Sequence, residues 1–106
     1  MKKRNETRLE KKLLVSVENN GYDSIGLTAN ISKNGMFITI TEVLPIDSEV
    51  SLLLGIADET FPLKGQVMWS RKWENRPSPD TPAAAGIRIT KAPEQYVKYV
   101  EKMLSD

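Results

Sequence analysis

The stretch KLLVSVENNG, residues 12–21, indicates the fold of this chain. The apolar residues of one face are Leu13, Val15 and Val17. The polar residue Ser16 lies between the two valines, and the polar residue Glu18 follows Val17. Successive side chains of a β-strand point to opposite faces, so this alternation predicts a strand with one buried face. The Asn-Asn-Gly run at 19–21 follows, and Asn and Gly tolerate the positive φ of a tight hairpin turn. The stretch therefore predicts a strand that leads into a β-hairpin.

The same alternation of apolar and polar residues continues outward from this stretch, to about residue 90. Each later segment places its apolar residues on one predicted face: Ile25, Leu27, Ala29 and Ile31; Met36, Ile38 and Ile40; Val50, Leu52, Leu54 and Ile56; Phe61, Leu63, Val67 and Trp69; Ile87 and Ile89. Phe37 falls on the opposite face of its strand. Six short strands separated by turn signals predict an all-β barrel or sandwich over residues 12–90.

The last segment of the chain changes period. Pro93 suits a first helical turn, where its missing N–H costs nothing, and Glu94 suits the positive end of a helix dipole. Apolar residues then recur at helical spacing, namely Tyr96, Val97, Val100, Met103 and Leu104. This spacing predicts an amphipathic helix over residues 93–105 whose apolar stripe belongs mainly to the core and secondarily to a partner surface.

Residues 71–83 follow neither pattern. They contain three prolines and no alternation, which predicts a long loop between the last two strands. Trp73 within this loop could stack on a ligand or a partner, or it could cover one end of the barrel.

Composition limits the classes of protein to consider. The chain has 106 residues, 40% hydrophobic and 27% charged, as expected for one globular domain. A net charge of +1 argues against a protein that binds nucleic acid polymers by general phosphate neutralisation. With no Cys and no His, the chain lacks thiolate chemistry, disulfides and the commonest general base and zinc ligand. We therefore expect no metal site and no cofactor.

The sequence contains no targeting or membrane signal that we can identify. No apolar run approaches the ~20 residues that cross a bilayer, so we expect no membrane insertion. The basic N-terminus continues into Glu6 and Glu10 rather than into an apolar segment, unlike a signal peptide. We expect a cytoplasmic protein.

Positive charge is concentrated at the start of the chain. Residues 2–12 contain six Lys and Arg residues against Glu6 and Glu10. A basic end on a nearly neutral domain suits a small anionic ligand better than a long polyanion. We expect residues 1–11 to form a flexible basic N-terminal arm. A solvated tail without a ligand is the alternative.

Two short motifs decide between these alternatives. Residues 4–8 read R-x-x-x-R with Arg4 and Arg8, and residues 30–35 read N-x-S-x-x-G. Each motif alone is weak, but together and in this order they resemble the paired signature of PilZ domains. The resemblance covers nearly the whole chain. It implies a single PilZ-like domain over residues 1–106, a six-stranded antiparallel split β-barrel with a C-terminal α-helix, and binding of the bacterial second messenger cyclic di-GMP.

The resemblance also assigns roles to the motif residues. Arg4 and Arg8 would contact guanine edges and phosphates, because a guanidinium pairs with guanine O6 and N7 and stacks on purines. Asn30 and Ser32, on one face of a strand end, would read the Watson–Crick edge of a guanine. Gly35 would permit positive φ or a close approach of the backbone to the ligand. The alternative for residues 30–35 is a plain turn between two strands.

Two positions depart from the family pattern. PilZ domains often have Asp where this chain has Asn30, so a charge-assisted hydrogen bond would become a neutral one. The family commonly has two consecutive glycines where this chain has Asn34 and Gly35. Because Asn accepts left-handed geometry, we expect the loop to keep its shape.

We weigh three functions besides a cyclic di-GMP receptor with a downstream protein partner. A PilZ-like interaction module that has lost nucleotide binding is favoured by Asn30 and disfavoured by the retained arginines. A single-strand nucleic acid binder needs several exposed aromatic residues along a basic groove, and this chain has few to spare from its core. An enzyme is the least favoured, because carboxylates such as Asp58 and Glu59 have no partner base.

Overall fold

The computed structural model describes residues 8–72 and 83–105, and residues 1–7, 73–82 and 106 are left undescribed. This part of the chain contains seven β-strands and one α-helix. The elements are β1 Leu9–Glu10, β2 Leu14–Asn19, β3 Tyr22–Ile31, β4 Gly35–Ile40, β5 Glu49–Ile56, β6 Glu59–Lys72, β7 Ala83–Lys91 and α1 Glu94–Ser105.

Six of the strands form a closed antiparallel barrel, which confirms the predicted fold. The strands follow each other in the order β3, β2, β5, β6, β7 and β4. The long strand β3 closes this ring, because residues 22–27 pair with β2 and residues 26–31 pair with β4. The short strand β1 is additional and pairs with the end of β3, Leu9 opposite Ile31 and Glu10 opposite Asn30.

The core lies inside this ring and is covered at one side by α1. The predicted inward residues of β2, β4 and β5 are buried, for example Val15, Ile38 and Leu54, none of which is exposed to solvent. From α1, Tyr96 and Val100 are also fully buried in the same cluster. The predicted amphipathic helix is therefore confirmed, with its apolar stripe mainly in the core, and it begins one residue later than expected.

The predicted inward face of β3 is wrong over most of its length. The buried residues are Ser24, Gly26 and Thr28, whereas Ile25 is 52% exposed. The physical reason is the close packing of β4 on this face, where a Cβ at position 26 would lie 2.4 Å from the carbonyl oxygen of Thr39. Only small side chains fit there, so apolar size does not identify the inward face.

An irregularity in the β3–β4 pairing lies between Thr28 and Asn30 and restores the predicted face at the end of β3. Thr28 pairs with Ile38, but Asn30 pairs with Phe37, so Ala29 has no partner of its own. A bulge of this kind places two residues opposite one and changes which face the following side chains occupy. Ile31 is therefore buried, as predicted, and Asn30 lies on the outside of the barrel.

Thr28 also fixes the segment that joins β1 to β2. Its hydroxyl donates to the carbonyl oxygen of Lys11 and accepts from the backbone N–H of Leu13, at 2.9 Å. Its own backbone N–H donates to the carbonyl oxygen of Leu13, also at 2.9 Å. Because Thr28 is only 1% exposed, these contacts hold the segment from inside the barrel and so place the residues that precede it.

The two predicted turns differ in backbone geometry. Asn20 and Gly21 have φ values of 53° and 85° and join β2 to β3 in a two-residue hairpin, as predicted. Asn34 and Gly35 do not take positive φ, although the sequence allowed it. The loop before β4 is instead closed by the side chain of Ser32, which makes a left-handed residue unnecessary.

The ends of the predicted arm and loop are more ordered than the sequence suggested. Leu9 and Glu10, within the expected N-terminal arm, form β1 because they continue the sheet along β3. β6 extends to Lys72 and β7 begins at Ala83, so the two ends of the predicted loop belong to strands. The rest of that loop, with Trp73, lies outside the described residues.

Candidate functional site

The register of four strands brings distant residues into one row on the outside of the barrel. Asn30 of β3 pairs with Phe37 of β4, Phe37 pairs with Gly86 of β7, and Gly86 pairs with Trp69 of β6. Neighbouring strands lie about 5 Å apart, so the row spans roughly 15 Å. These residues line a cleft of about 450 Å³, here called the arginine cleft, whose other lining residues include Arg8, Gly35 and Arg88.

Arg8 is held at one wall of the arginine cleft by Asn30. Its Nη1 donates to Asn30 Oδ1 at 2.8 Å. Its Nη2 lies over Gly35, 3.4 Å from the place where a Cβ would be. A guanidinium has five N–H donors, so the bond to Asn30 leaves several of them for a ligand. The first and second sequence motifs therefore meet in space through these two residues.

Arg4 was predicted to act together with Arg8. It lies outside the residues that the structure describes. Its contact with the ligand stays a prediction.

Gly35 contributes to the floor of the arginine cleft by leaving space. A Cβ at this position would lie 3.0 Å from the carbonyl oxygen of Ile87 on the neighbouring strand, which is tight for any side chain. The same Cβ would stand beneath Nη2 of Arg8. Gly35 does not take positive φ, and the predicted close approach of its backbone to a ligand stays a prediction.

Ser32 has a different environment from Asn30. Asn30 is partly buried and lines the arginine cleft, whereas Ser32 is completely buried and does not. The hydroxyl of Ser32 accepts from the backbone N–H of Gly35 at 3.1 Å and lies 3.2 Å from the Gly35 carbonyl oxygen. The backbone N–H of Ser32 donates to that carbonyl at 2.8 Å. Ser32 thus closes the loop that presents Gly35 to the cleft, and its predicted contact with guanine stays a prediction.

The opposite wall of the arginine cleft is aromatic. The rings of Trp69 and Phe37 have centroids 5.3 Å apart and are inclined by 53°. The guanidinium carbon of Arg71 lies 5.4 Å from the centroid of the Trp69 ring, within the range of a cation–π contact. Trp69 is 37% exposed, so part of its ring surface is open to solvent.

Arg88 adds a second cation to the arginine cleft. It pairs with Gly35 across β4 and β7, and its Nη2 donates to Gln66 Oε1 at 2.7 Å. Among the described residues that line this cleft none is acidic, and Arg8 and Arg88 give that lining positive charge. An anion with flat aromatic groups fits this combination of guanidinium groups and exposed rings.

Sequence reasoning missed Trp69, Phe37 and Arg88 as possible site residues. Gly65–Trp69 and Gly86–Ile89 were read only as later strands of the barrel, because no motif connected them with residues 30–35. The available signal was the Gly-Ile-Arg run at 86–88, in which a small residue and an arginine share one face of a strand.

A second and larger concavity lies on another part of the barrel wall. It measures about 610 Å³ and is lined mainly by residues of β2, β5 and the first half of β6, including Leu53 and Pro62. Its charged residues are of both signs, Glu18 and Asp23 against Lys64 and Lys91. The described residues that line this apolar groove include no guanidinium group and no aromatic ring, so they offer little to a dianionic nucleotide.

The described residues contain neither a metal-binding cluster nor a membrane-spanning helix. Within residues 8–72 and 83–105, no group of three or more Asp or Glu side chains is arranged to hold a metal ion. The single helix of that part of the chain is too short and too polar to span a bilayer.

Comparison with known protein families gives the identity of the fold. The family model of the PilZ domain matches residues 2–105. This chain belongs to the PilZ family. The match includes both sequence motifs and all the strands that form the arginine cleft. No curated protein is significantly similar to the chain.

Solved structures show the same fold at low sequence identity. The PilZ domain of YcgR from Escherichia coli, solved with c-di-GMP, has a TM-score of 0.72 and 9% identity, and the match covers 96% of this chain and 88% of that one. The Inhibitor of motility from Bacillus subtilis, MotI/DgrA, has a TM-score of 0.74 and 13% identity, over 100% of this chain and 54% of that one. This PilZ chain therefore spans about half the length of the motility inhibitor that it matches.

Proposed function

We propose that this PilZ protein is a receptor for cyclic di-GMP that binds the dinucleotide in the arginine cleft, without a cofactor, and acts in the cytoplasm of a bacterium. The observation that carries the proposal is the bond between Arg8 and Asn30, at 2.8 Å, which joins the two motifs at the wall of the cleft. Membership of the PilZ family and the similarity to a PilZ domain solved with c-di-GMP support it.

Arg8 supplies a positive charge and a directed hydrogen-bond donor to the proposed contact. Its Nη2, over Gly35, is placed to donate to guanine O6 or N7 or to a phosphate oxygen. The glycine beneath it lets the ligand approach the backbone, because no side chain fills that space. Arg4 acts with Arg8 on the same ligand in this proposal.

Asn30 has two roles in the proposed complex. Its carbonyl oxygen accepts from Arg8 and so keeps the guanidinium at the cleft. An amide oxygen has two lone pairs, so Asn30 can also accept from guanine N1–H or N2–H. Ser32 supports these contacts through the loop that it closes, and a direct contact of its hydroxyl with guanine would require that loop to open.

Trp69 and Arg88 complete the proposed site. The exposed part of the indole offers a surface on which a purine can stack, and Arg88 offers a second guanidinium to the phosphates. A volume of about 450 Å³ is within the usual range for small-molecule sites, roughly 300–1,000 Å³.

Signalling follows from a change of surface. Ligand contacts with Arg4 and Arg8 order the N-terminal arm across the barrel wall, and the new surface binds a downstream protein. A ligand shifts such an equilibrium only by its higher affinity for the ordered arm. The protein then acts as an effector that passes on a signal and performs no catalysis.

The decisive experiment is a calorimetric titration of the wild-type protein with cyclic di-GMP and, in the same buffer, with cyclic di-AMP. Adenine replaces the O6 acceptor of guanine with an amino donor, so an arginine fork loses one partner. We expect cyclic di-AMP to bind at least about a hundredfold more weakly, equivalent to roughly 2.7 kcal/mol. Similar affinities for the two dinucleotides would reduce the cleft to a general anion site and contradict the proposal.

A protein-interaction module without nucleotide binding is the second candidate. One observation favours it: Leu14, Ile25 and Leu53, three large apolar side chains at least half exposed, lie on strands β2, β3 and β5 of the barrel wall. Clustered apolar residues on a surface mark contact sites between proteins. The absence of any heat of binding with cyclic di-GMP, with the protein folded, would favour this second function.

A further inference from the structure

The helix α1 is hydrogen-bonded to the loop that carries the second motif. The hydroxyl of Tyr96 donates to the carbonyl oxygen of Ser32 at 2.6 Å, and Tyr96 is completely buried. A buried phenol that pairs with a backbone carbonyl fixes the relative position of the two segments, because neither group can exchange its partner for water.

A second contact joins the same two segments at the surface. Lys33, the next residue of the loop, lies 3.3 Å from Glu101 of α1 through Nζ and Oε2. Both side chains are about half exposed, 48% and 55%, so this ion pair adds little free energy. Glu101 nevertheless lies five residues beyond Tyr96 on the helix, so the loop contacts α1 at two places.

The loop that is hydrogen-bonded to Tyr96 leads directly to the arginine cleft. Ser32 exchanges hydrogen bonds with the backbone of Gly35 through both its N–H and its hydroxyl. Gly35 in turn lies beneath Nη2 of Arg8. A movement of the Ser32 carbonyl would therefore move Gly35 and the floor below the guanidinium.

The helix also reaches the other side of the site. α1 lies against β1, and β1 begins at Leu9, the residue after Arg8. Leu9 packs against the same core cluster as Val97 and Leu104 of the helix. The docked helix thus contacts both the arm that bears Arg8 and the loop that bears Gly35.

We propose that Tyr96 is a positioning residue of the ligand site and that docking of α1 is coupled to binding of cyclic di-GMP in the arginine cleft. This inference rests on the proposed function. Coupling between two equilibria is reciprocal, so a ligand that needs the ordered site also stabilises the docked helix. The helix surface, which changes in stability when the ligand binds, then reports the ligand to a partner together with the ordered arm.

The test removes the Tyr96 hydroxyl and keeps its ring. Tyr96→Phe is compared with Tyr99→Phe, the same change on the same helix at a partly buried ring whose hydroxyl makes no hydrogen bond to the described residues. Titrations with cyclic di-GMP should show about five- to tenfold weaker binding for Tyr96→Phe, within the usual range of coupling. Tyr99→Phe should bind with the wild-type affinity.

Hydrogen exchange provides a second readout that requires no substitution. In the wild-type protein, saturating cyclic di-GMP should increase the protection of amides in residues 97–105 more than that of β5, which pairs with β2 and β6 and not with β1 or β4. This measurement also covers the case in which Tyr96→Phe fails to fold. In a folded Tyr96→Phe protein, the extra protection of the helix should be smaller than in the wild type.

The outcomes separate this inference from the proposed function. If wild-type protein binds cyclic di-GMP but helix protection does not change, or if Tyr96→Phe binds as tightly as Tyr99→Phe, the coupling is overturned and the receptor stands. If the wild-type protein does not bind cyclic di-GMP, the receptor and the coupling are both overturned.

Discussion

Trp69 packs so closely against Gly86 that a Cβ at position 86 would lie 2.2 Å from the indole Nε1. The two residues are paired across β6 and β7, next to Phe37 on β4. The absence of a side chain at position 86 lets the indole lie over the neighbouring strand toward Phe37, so one glycine determines the shape of the aromatic wall.

Gly86→Ala should therefore weaken ligand binding by displacing Trp69. A methyl group at this place forces the indole to move, and overpacking of this kind costs about 1–3 kcal/mol of stability. We expect the affinity for cyclic di-GMP to fall about tenfold, measured by calorimetry. Gly55→Ala is the matched control, since a Cβ there meets nothing closer than the Leu14 carbonyl oxygen at 3.6 Å. Equal affinities of the two variants for cyclic di-GMP would contradict a role of Trp69 in ligand binding.

Arg8→Ala should weaken binding of cyclic di-GMP tenfold to a hundredfold without unfolding the protein. The side chain is exposed, and hydrogen bonds of a charged group contribute about 1.5–3 kcal/mol. Arg8→Lys should lose nearly as much, because an ammonium lacks the fork and the flat stacking surface. Lys12→Ala removes the same charge from an exposed position outside the lining of the cleft and should bind normally. Arg4→Ala should behave like Arg8→Ala.

Substitutions of Asn30 test both of its proposed roles. Asn30→Ala removes the acceptor of the 2.8 Å bond from Arg8 and should weaken binding. Asn30→Asp should keep the affinity or raise it, because a carboxylate accepts more strongly from Arg8 and from guanine N1–H and N2–H. Titration of both variants with cyclic di-GMP checks this. A large loss in Asn30→Asp would mean that the phosphates, and not a guanine edge, lie beside this residue.

Thr28→Val should lower the stability of the protein and also weaken its ligand binding. The substitution keeps the shape of the side chain but leaves the Lys11 carbonyl and the Leu13 N–H without their hydroxyl partner. A buried polar group left unpaired costs about 1–3 kcal/mol, measurable by denaturant unfolding. Thr39→Val, which changes a partly buried Thr of β4, should leave the free energy of unfolding nearly unchanged. A Thr28→Val protein as stable as the wild type would show that water replaces the hydroxyl.

The sequence by itself determined the class of the fold, because most of the strands repeat the two-residue period of a half-buried sheet and the last segment has the period of a helix. It also identified Arg8, Asn30 and Gly35 as motif residues, because residue types and their spacing are read directly from the sequence. The Asn20–Gly21 hairpin followed for the same local reason: these two residues accept the positive φ that the turn requires.

Only the tertiary structure decided which residues meet. The inward face of β3 depends on the close packing of β4 at Gly26, and the place of Asn30 depends on a bulge. Neither the close packing nor the bulge leaves a periodic signal in the sequence. Trp69 and Arg88 join Arg8 because the barrel closes in one particular register. The bond from Tyr96 to Ser32 spans 64 residues, and such a contact forms only when the core has placed the helix against the loop.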